Sequence, residues 1–264
     1  MNSKPETLLE KLGSRLARAL RRPVRGCETC KPIDVSALAT FLIPGDCILV
    51  EGDQRVSTAI KYLTQSTWSH SAMYVGMKNL GEDAAPVPAI VETELGEGCI
   101  ISPLARYGRF NIRICRPSGL PEEGRNAAVA FMLSHVGDKY DLRNMIDLLR
   151  WFCPTPPVPV RWRRRMIAFG SGDPTRAICS SLMARAYQSV GYPILPRIET
   201  VSDEFGTREI LHIRHHSLFV PRDFDLSPWF EVMKPSVLSG YDINTVQWSE
   251  ASIAQRHDAH HRPA

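Results

Sequence analysis

A cysteine at position 179 stands within "TRAICSSLMARAY", residues 175 to 187, where apolar residues recur at helical spacing. A thiol near the front of a helix can do more than fill a core. The unpaired N–H groups and dipole of a helix N-terminus favour its anion, and the anion is the form that attacks carbonyl carbon. That help fades beyond the first turn. Asp173 as cap, with Pro174 at the first helical position, leaves Cys179 in the second turn, whereas Thr175 as cap brings it nearer the end. An imidazole partner is therefore required, both to hold the thiolate and to supply a proton to the leaving group.

His70 is the candidate. Of the eight histidines, three lie in the tail, and His212, His215 and His216 fall in "LHIRHHS" after the cysteine helix. His135 closes a helix, where the dipole favours a cation without any chemistry. His70 opens the strand "HSAMYVG" after "TWS". Its ring needs a third group to fix orientation and tautomer. Glu92 and Glu94 share one face of the next strand, "AIVETEL", by the two-residue period. Glu92, flanked by "AIV", lies deeper and is preferred; Glu94 is the alternative. Taken singly, each residue has a plain structural explanation: a small buried hydrophobe, a satisfied strand histidine, a solvent-facing carboxylate. The combination points to nucleophilic catalysis.

These side chains must be positioned by elements that the hydrophobic pattern outlines. "GDCILVEG" reads as a buried strand and residues 55 to 65 as a helix. "HSAMYVGM", "AIVETEL", "GCIISPL" and "FNIRICRP" follow as four β-rich runs, which predicts an antiparallel meander. Helices are predicted at 121–136, opening on the acidic "LPEEGR", and at 141–151 and 176–190. Strands first and helices after them give an α+β class. The Pro-rich, then basic and aromatic link "CPTPPVPVRWRRRMIAFGSGDP" leads into the Cys179 helix and has the length of a lid, a binding loop or an inert insertion.

Composition bounds the rest. The 264 residues suit one domain with decorations, divided as a basic amphipathic segment and linker (1–42), a catalytic domain (43–240) and a tail (241–264) whose three histidines follow no apolar pattern. No apolar run reaches the roughly 20 residues that cross a bilayer. Seven scattered cysteines do not form a disulfide framework, and the N-terminus lacks a secretory signal, so a reducing, cytoplasmic setting is expected. The lone C-x-x-C in "GCETCKP" lacks the further ligands a zinc site needs. The net charge of +4 is too small to predict nucleic-acid binding, and "RWRRR" belongs to no recognised motif for it. Leu9, Leu12, Leu16 and Leu20, ringed by Lys11, Arg15, Arg18, Arg21 and Arg22, form a helix able either to dock on its own domain or to lie at the inner face of a membrane.

The order His, Glu, Cys, with Gly45-Asp46 ahead of it, "SHSAMYVG" around His70, "VETELGEG" around Glu92, "GDKYD" at 137–141, "ICSSLMARAYQSVGYPILP" and the closing "VPRDFDLSPWFE", resembles the permuted papain-like amidases of the YiiX/YebB kind. These are a branch of the NlpC-type cysteine peptidase superfamily, and the resemblance spans about residues 43 to 235. It implies a circularly permuted papain-like fold, a small antiparallel barrel or sheet packed against the nucleophile helix. It implies Cys179 as nucleophile, His70 as base and Glu92 as orienting carboxylate. The expected activity is that of a cysteine-dependent hydrolase or acyltransferase acting on an amide, ester or thioester through an acyl-enzyme, with no metal or organic cofactor. Relatives of this kind act on peptide-like amides or lipid acyl bonds, and the basic helix tilts the expectation toward lipid or acyl substrates near a membrane. The alternative is a non-catalytic lipid- or protein-binding module on the same fold.

Overall fold

The computed structural model describes residues 19–23, 34–139, 178–203 and 206–234. In chain order the elements are α1 (Val35–Phe41), β1 (Cys47–Val50), α2 (Arg55–Thr64), β2 (His70–Lys78), β3 (Val87–Glu94), β4 (Gly98–Pro103), β5 (Ile112–Pro117), α3 (Glu122–Ser134), α4 (Ile178–Ser189), β6 (Arg197–Asp203), β7 (Gly206–His212), α5 (Pro221–Leu226) and β8 (Phe230–Met233). Six strands form one antiparallel sheet in the order β4-β3-β2-β1-β5-β8, and β6 and β7 pair separately as a hairpin.

The central strand β1, "CILV", is buried on both faces, as a continuous apolar run between glycines requires. Gly45 sets up its entry with φ at 93°, a left-handed conformation that an L side chain rarely adopts. Asp46, fully buried, accepts from Arg116 Nε at 2.9 Å and from the Ile43 N–H at 3.0 Å, so this opening is an ion-paired anchor of β1 to β5. One sheet face, with Cys47, Leu49, Met73, Val75, Val91 and Cys115, packs under α3 and α4. The other, with Ile48, Val50, Ala72, Tyr74, Ile90 and Ile114, is covered by Leu38 and Leu42 and by Leu104 and Tyr107 of a short 3-10 turn. The apolar stripe of α4 (Leu182, Met183, Ala186, Tyr187) is buried, and the Tyr187 hydroxyl donates to the Gly45 carbonyl at 2.9 Å, tying this helix to the start of β1.

The α+β class and the antiparallel sheet are as expected, with two corrections. The meander runs through β1 to β4 only: "FNIRICRP" returns across the sheet and pairs with β1. The 3-10 turn Leu104–Tyr107 redirects the chain, and beside β1 both Ile112 and Ile114 are buried. Strands also follow the helices. β8 extends the sheet beyond β5, and residues 197–212 form a hairpin whose mixed polar pattern carries little strand signal. Among the described residues the sheet is open, with β4 and β8 at its edges. The expected helix at 141–151, the loop at 153–174, the cap residues Asp173 and Thr175, the C-x-x-C and the tail from 241 lie outside the described residues.

Candidate active site

The three residues singled out by sequence come together. His70 is the first residue of β2, and Ala72 on the same face pairs across the strands with Glu92 of β3. His70 Nε2 lies 2.7 Å from Glu92 Oε2. Cys179, in the first described turn of α4, stands beside the His70 ring, closely enough for each group to shift the ionisation of the other. The order along the row is sulfur, imidazole, carboxylate. Cys179 is 6% exposed and the His70 side chain 19%, so the reacting end reaches solvent only narrowly.

Glu92 is the best-anchored member. A fully buried carboxylate is costly unless its charge is paired and its lone pairs are filled. Here Oε1 accepts from the Ser102 hydroxyl and from Arg106 NH1 at 3.1 Å, while Oε2 accepts from the Tyr107 hydroxyl and faces His70. Burial would raise the Glu92 pKa, but the bond to and charge of His70, with the Ser102 and Tyr107 hydroxyls, bring it down to about 2. Glu94, the alternative, does not touch the ring. It accepts from Arg106, which bridges the two carboxylates, and from Arg21 at 2.6 Å. Sequence reasoning missed Ser102, Arg106 and Tyr107. Ser102 shares a face of β4 with Ile100, the partner of Glu92, and was accessible from the strand period; nothing local marks the other two.

The charges reinforce one another. Burial would lower the His70 pKa, yet the Cys179 and Glu92 anions on either side push it up to about 10. Burial would raise the Cys179 thiol, but the His70 cation and hydrogen bond, aided by Ser71, hold it below the ordinary cysteine range. The other described cysteines behave oppositely: burial pushes Cys47 and Cys115 well up and Cys99 to about 11. Among the described cysteines with a resolved shift, Cys179 alone moves down.

A pH dependence of stability follows. The carboxyl titrates near 4.3 in the unfolded chain and at about 2 in the fold, so its contribution is complete above the first value and is lost as the pH falls toward the second. The loss is on the order of 3 kcal/mol. Urea midpoints of the wild type should drop between pH 5 and pH 2.5 more steeply than those of Glu92→Gln, which has no carboxyl there to titrate. Parallel curves would contradict the assignment.

The described end of the N-terminal segment is docked on this domain. Leu20 is buried, and Arg21 reaches Glu94 and Glu97 at the turn after β3. Among the described residues no helix is long and apolar enough to cross a membrane, and no cluster of three or more His, Cys, Asp or Glu could hold a metal ion.

No protein-family model matches the chain, and no curated protein matches it. Among solved structures the chain is similar to one described as "Crystal structure of metalloprotein yiiX from Escherichia coli O157:H7, DUF1105", with a TM-score of 0.43 and 14% identity, over 72% of this chain and 95% of that one.

Proposed function

We propose that the protein is a cysteine-dependent hydrolase or acyltransferase on a circularly permuted papain-like fold, cleaving an amide, ester or thioester. The observation that carries the reading is the grouping of Cys179, His70 and Glu92, in which the imidazole lowers the pKa of the thiol and the carboxylate is locked by four donors. The placement of the cysteine helix after the strands that carry His70 and Glu92 in sequence, yet against the same sheet, supports the permuted topology.

The Cys179 thiolate attacks the substrate carbonyl carbon and forms a C–S bond, and the carbonyl π pair moves onto oxygen. The backbone N–H of Cys179 is proposed to receive that oxyanion. Collapse expels the amine, alcohol or thiol, which takes the proton from His70, leaving a thioester on Cys179. His70, now neutral, removes a proton from water or another acceptor as that group attacks, and the C–S bond breaks to restore thiolate and imidazolium. Glu92 keeps its proton count throughout. It holds the ring and offsets the imidazolium charge, while Ser102, Tyr107 and Arg106 hold Glu92.

The substrate is proposed to be a lipid or peptide-like acyl compound, met in the cytoplasm with peripheral contact at the inner membrane face through the basic N-terminal segment. The Arg21 ion pair with Glu94 brings the described end of that segment beside the site. A panel of acyl thioesters, esters and peptide amides tests the reading. Product release by the wild type, abolished in Cys179→Ala, is expected for at least one class; equal release by both proteins, or none from any class, would count against it.

A further inference from the structure

Glu92 and Glu94 lie on one face of β3, two residues apart, and both are buried. Two carboxylates this close repel each other in a buried setting unless cations stand between and beside them. Arg106 stands between. Its Nη1 donates to Glu92 Oε1 at 3.1 Å and its Nη2 donates to Glu94 Oε1, so one guanidinium is divided between two acceptors. Arg21 stands beside them: its Nη2 donates to Glu94 Oε2 at 2.6 Å and its Nη1 to Glu97 Oε1 at 2.5 Å. The side chains alternate in sign, Glu97, Arg21, Glu94, Arg106, Glu92, and the row ends on the His70 ring.

An ion pair near the surface is usually worth little, because two long side chains lose freedom in order to meet. Arg21 differs in that its backbone is held independently of its charge. Leu20 beside it is buried, Pro23 forms a β-bridge with Gln54, and the Arg55 N–H donates to the Arg22 carbonyl at 3.1 Å. With His70 protonated, three carboxylates meet three cations along this row, and one of those cations comes from the N-terminal segment. Without Arg21 the row carries an excess negative charge, and Glu94 competes harder with Glu92 for Arg106. Both changes make the surroundings of the ring more negative, so the ring binds its proton more tightly and becomes a weaker acid toward a leaving group.

We infer that Arg21 is a positioning residue: by occupying Glu94 it keeps Arg106 on Glu92, and so brings the N-terminal segment into the acid–base machinery around His70. It touches no reacting atom. The other groups that face the ring, Cys179 from α4 and Tyr107 with its ring centroid 6.0 Å away, stay in place when Arg21 is changed. This rests on the reading of His70 as the base that serves Cys179.

The test is the titration of the His70 ring in the full chain, followed by NMR and assigned with His70→Ala, for the wild type, Arg21→Gln, Arg21→Lys, Glu94→Gln and the double variant of Arg21→Gln with Glu94→Gln. The pH profile of iodoacetamide alkylation at Cys179 is recorded on the wild type alongside. Arg21→Gln is expected to raise the His70 midpoint by about half a pH unit, roughly a threefold change in acidity. Arg21→Lys, which keeps the charge, should retain the wild-type midpoint. Glu94→Gln should move it the other way, and the double variant, having lost one charge of each sign, should return close to the wild type. A midpoint unmoved in Arg21→Gln, or moved as far in Arg21→Lys, would overturn the role of Arg21 and leave the cysteine–histidine pair standing. A double variant displaced further than Arg21→Gln would assign the effect to lost docking of the segment and also overturn it. A wild-type Cys179 that labels as an ordinary thiol would remove the underlying reading, and this inference with it.

Discussion

His70→Ala slows the alkylation of Cys179 at pH 6 by between about ten- and a hundredfold. A free cysteine is well under about 1% thiolate at that pH, whereas a thiol beside an imidazolium is ionised to a large extent. Removing the ring deletes the main influence that lowers the Cys179 pKa, and burial, which by itself raises the thiol, then prevails. The rise in intrinsic nucleophilicity that accompanies a higher pKa offsets part of the loss, which keeps the expected factor from being larger. The effect has a sign in pH as well. It is greatest in acid and neutral solution and shrinks as the pH approaches the range where an ordinary thiol ionises. Peptide-resolved labelling between pH 5 and 9 measures it, and because the other described cysteines are buried and pushed up in pKa, their low reactivity is an internal control. Equal rates in the two proteins at pH 6 would mean that the imidazole does not hold the thiolate.

Glu92→Leu is expected to cost about 3–5 kcal/mol of folding stability, the range found when one member of a buried ion pair is removed. The leucine leaves the Ser102 and Tyr107 hydroxyls without their acceptor, deprives Arg106 of one of its two carboxylates and exposes the His70 cation to an apolar neighbour. His70 then loses charge, so the thiolate weakens too, and the same variant should label at pH 6 more slowly than the wild type. Against a typical total of about 5–15 kcal/mol, the loss is a large fraction of what holds a domain together. Urea denaturation at pH 7 followed by far-UV circular dichroism gives the value. A change below about 1 kcal/mol would show that the carboxylate is not the buried, fully engaged group described above. Glu92→Gln, which keeps one acceptor oxygen, should fall between leucine and the wild type.

Much of the local structure was legible in the sequence because local forces decide it. The apolar run of β1, the strand opening at His70 and the apolar stripe of α4 each follow from periodicity. The preference for Glu92 over Glu94 followed from burial alone, since the residue nested in "AIV" lies deeper, and it is the one that meets the ring. What sequence could not give is set by distant parts of the chain. The return of β5 to β1 depends on how the turn at Leu104–Tyr107 redirects the backbone, and no spacing encodes that. Arg106 reads as a surface cation until the fold places it between two carboxylates. The hairpin of β6 and β7 escaped notice because its strands bury little; Ile198, Ile210 and Leu211 all remain exposed.

The central claim is that the Cys179 sulfur is a nucleophile toward carbonyl carbon, and the intact mass of the full chain after exposure to acyl-lipid and peptide-amide probes tests it most directly. The account predicts a single acyl addition that maps to Cys179, forms on the wild type, and is lost in Cys179→Ala and strongly reduced in His70→Ala. An acyl addition of the same extent on Cys179→Ala, or a wild type that stays unmodified by every probe, would contradict it.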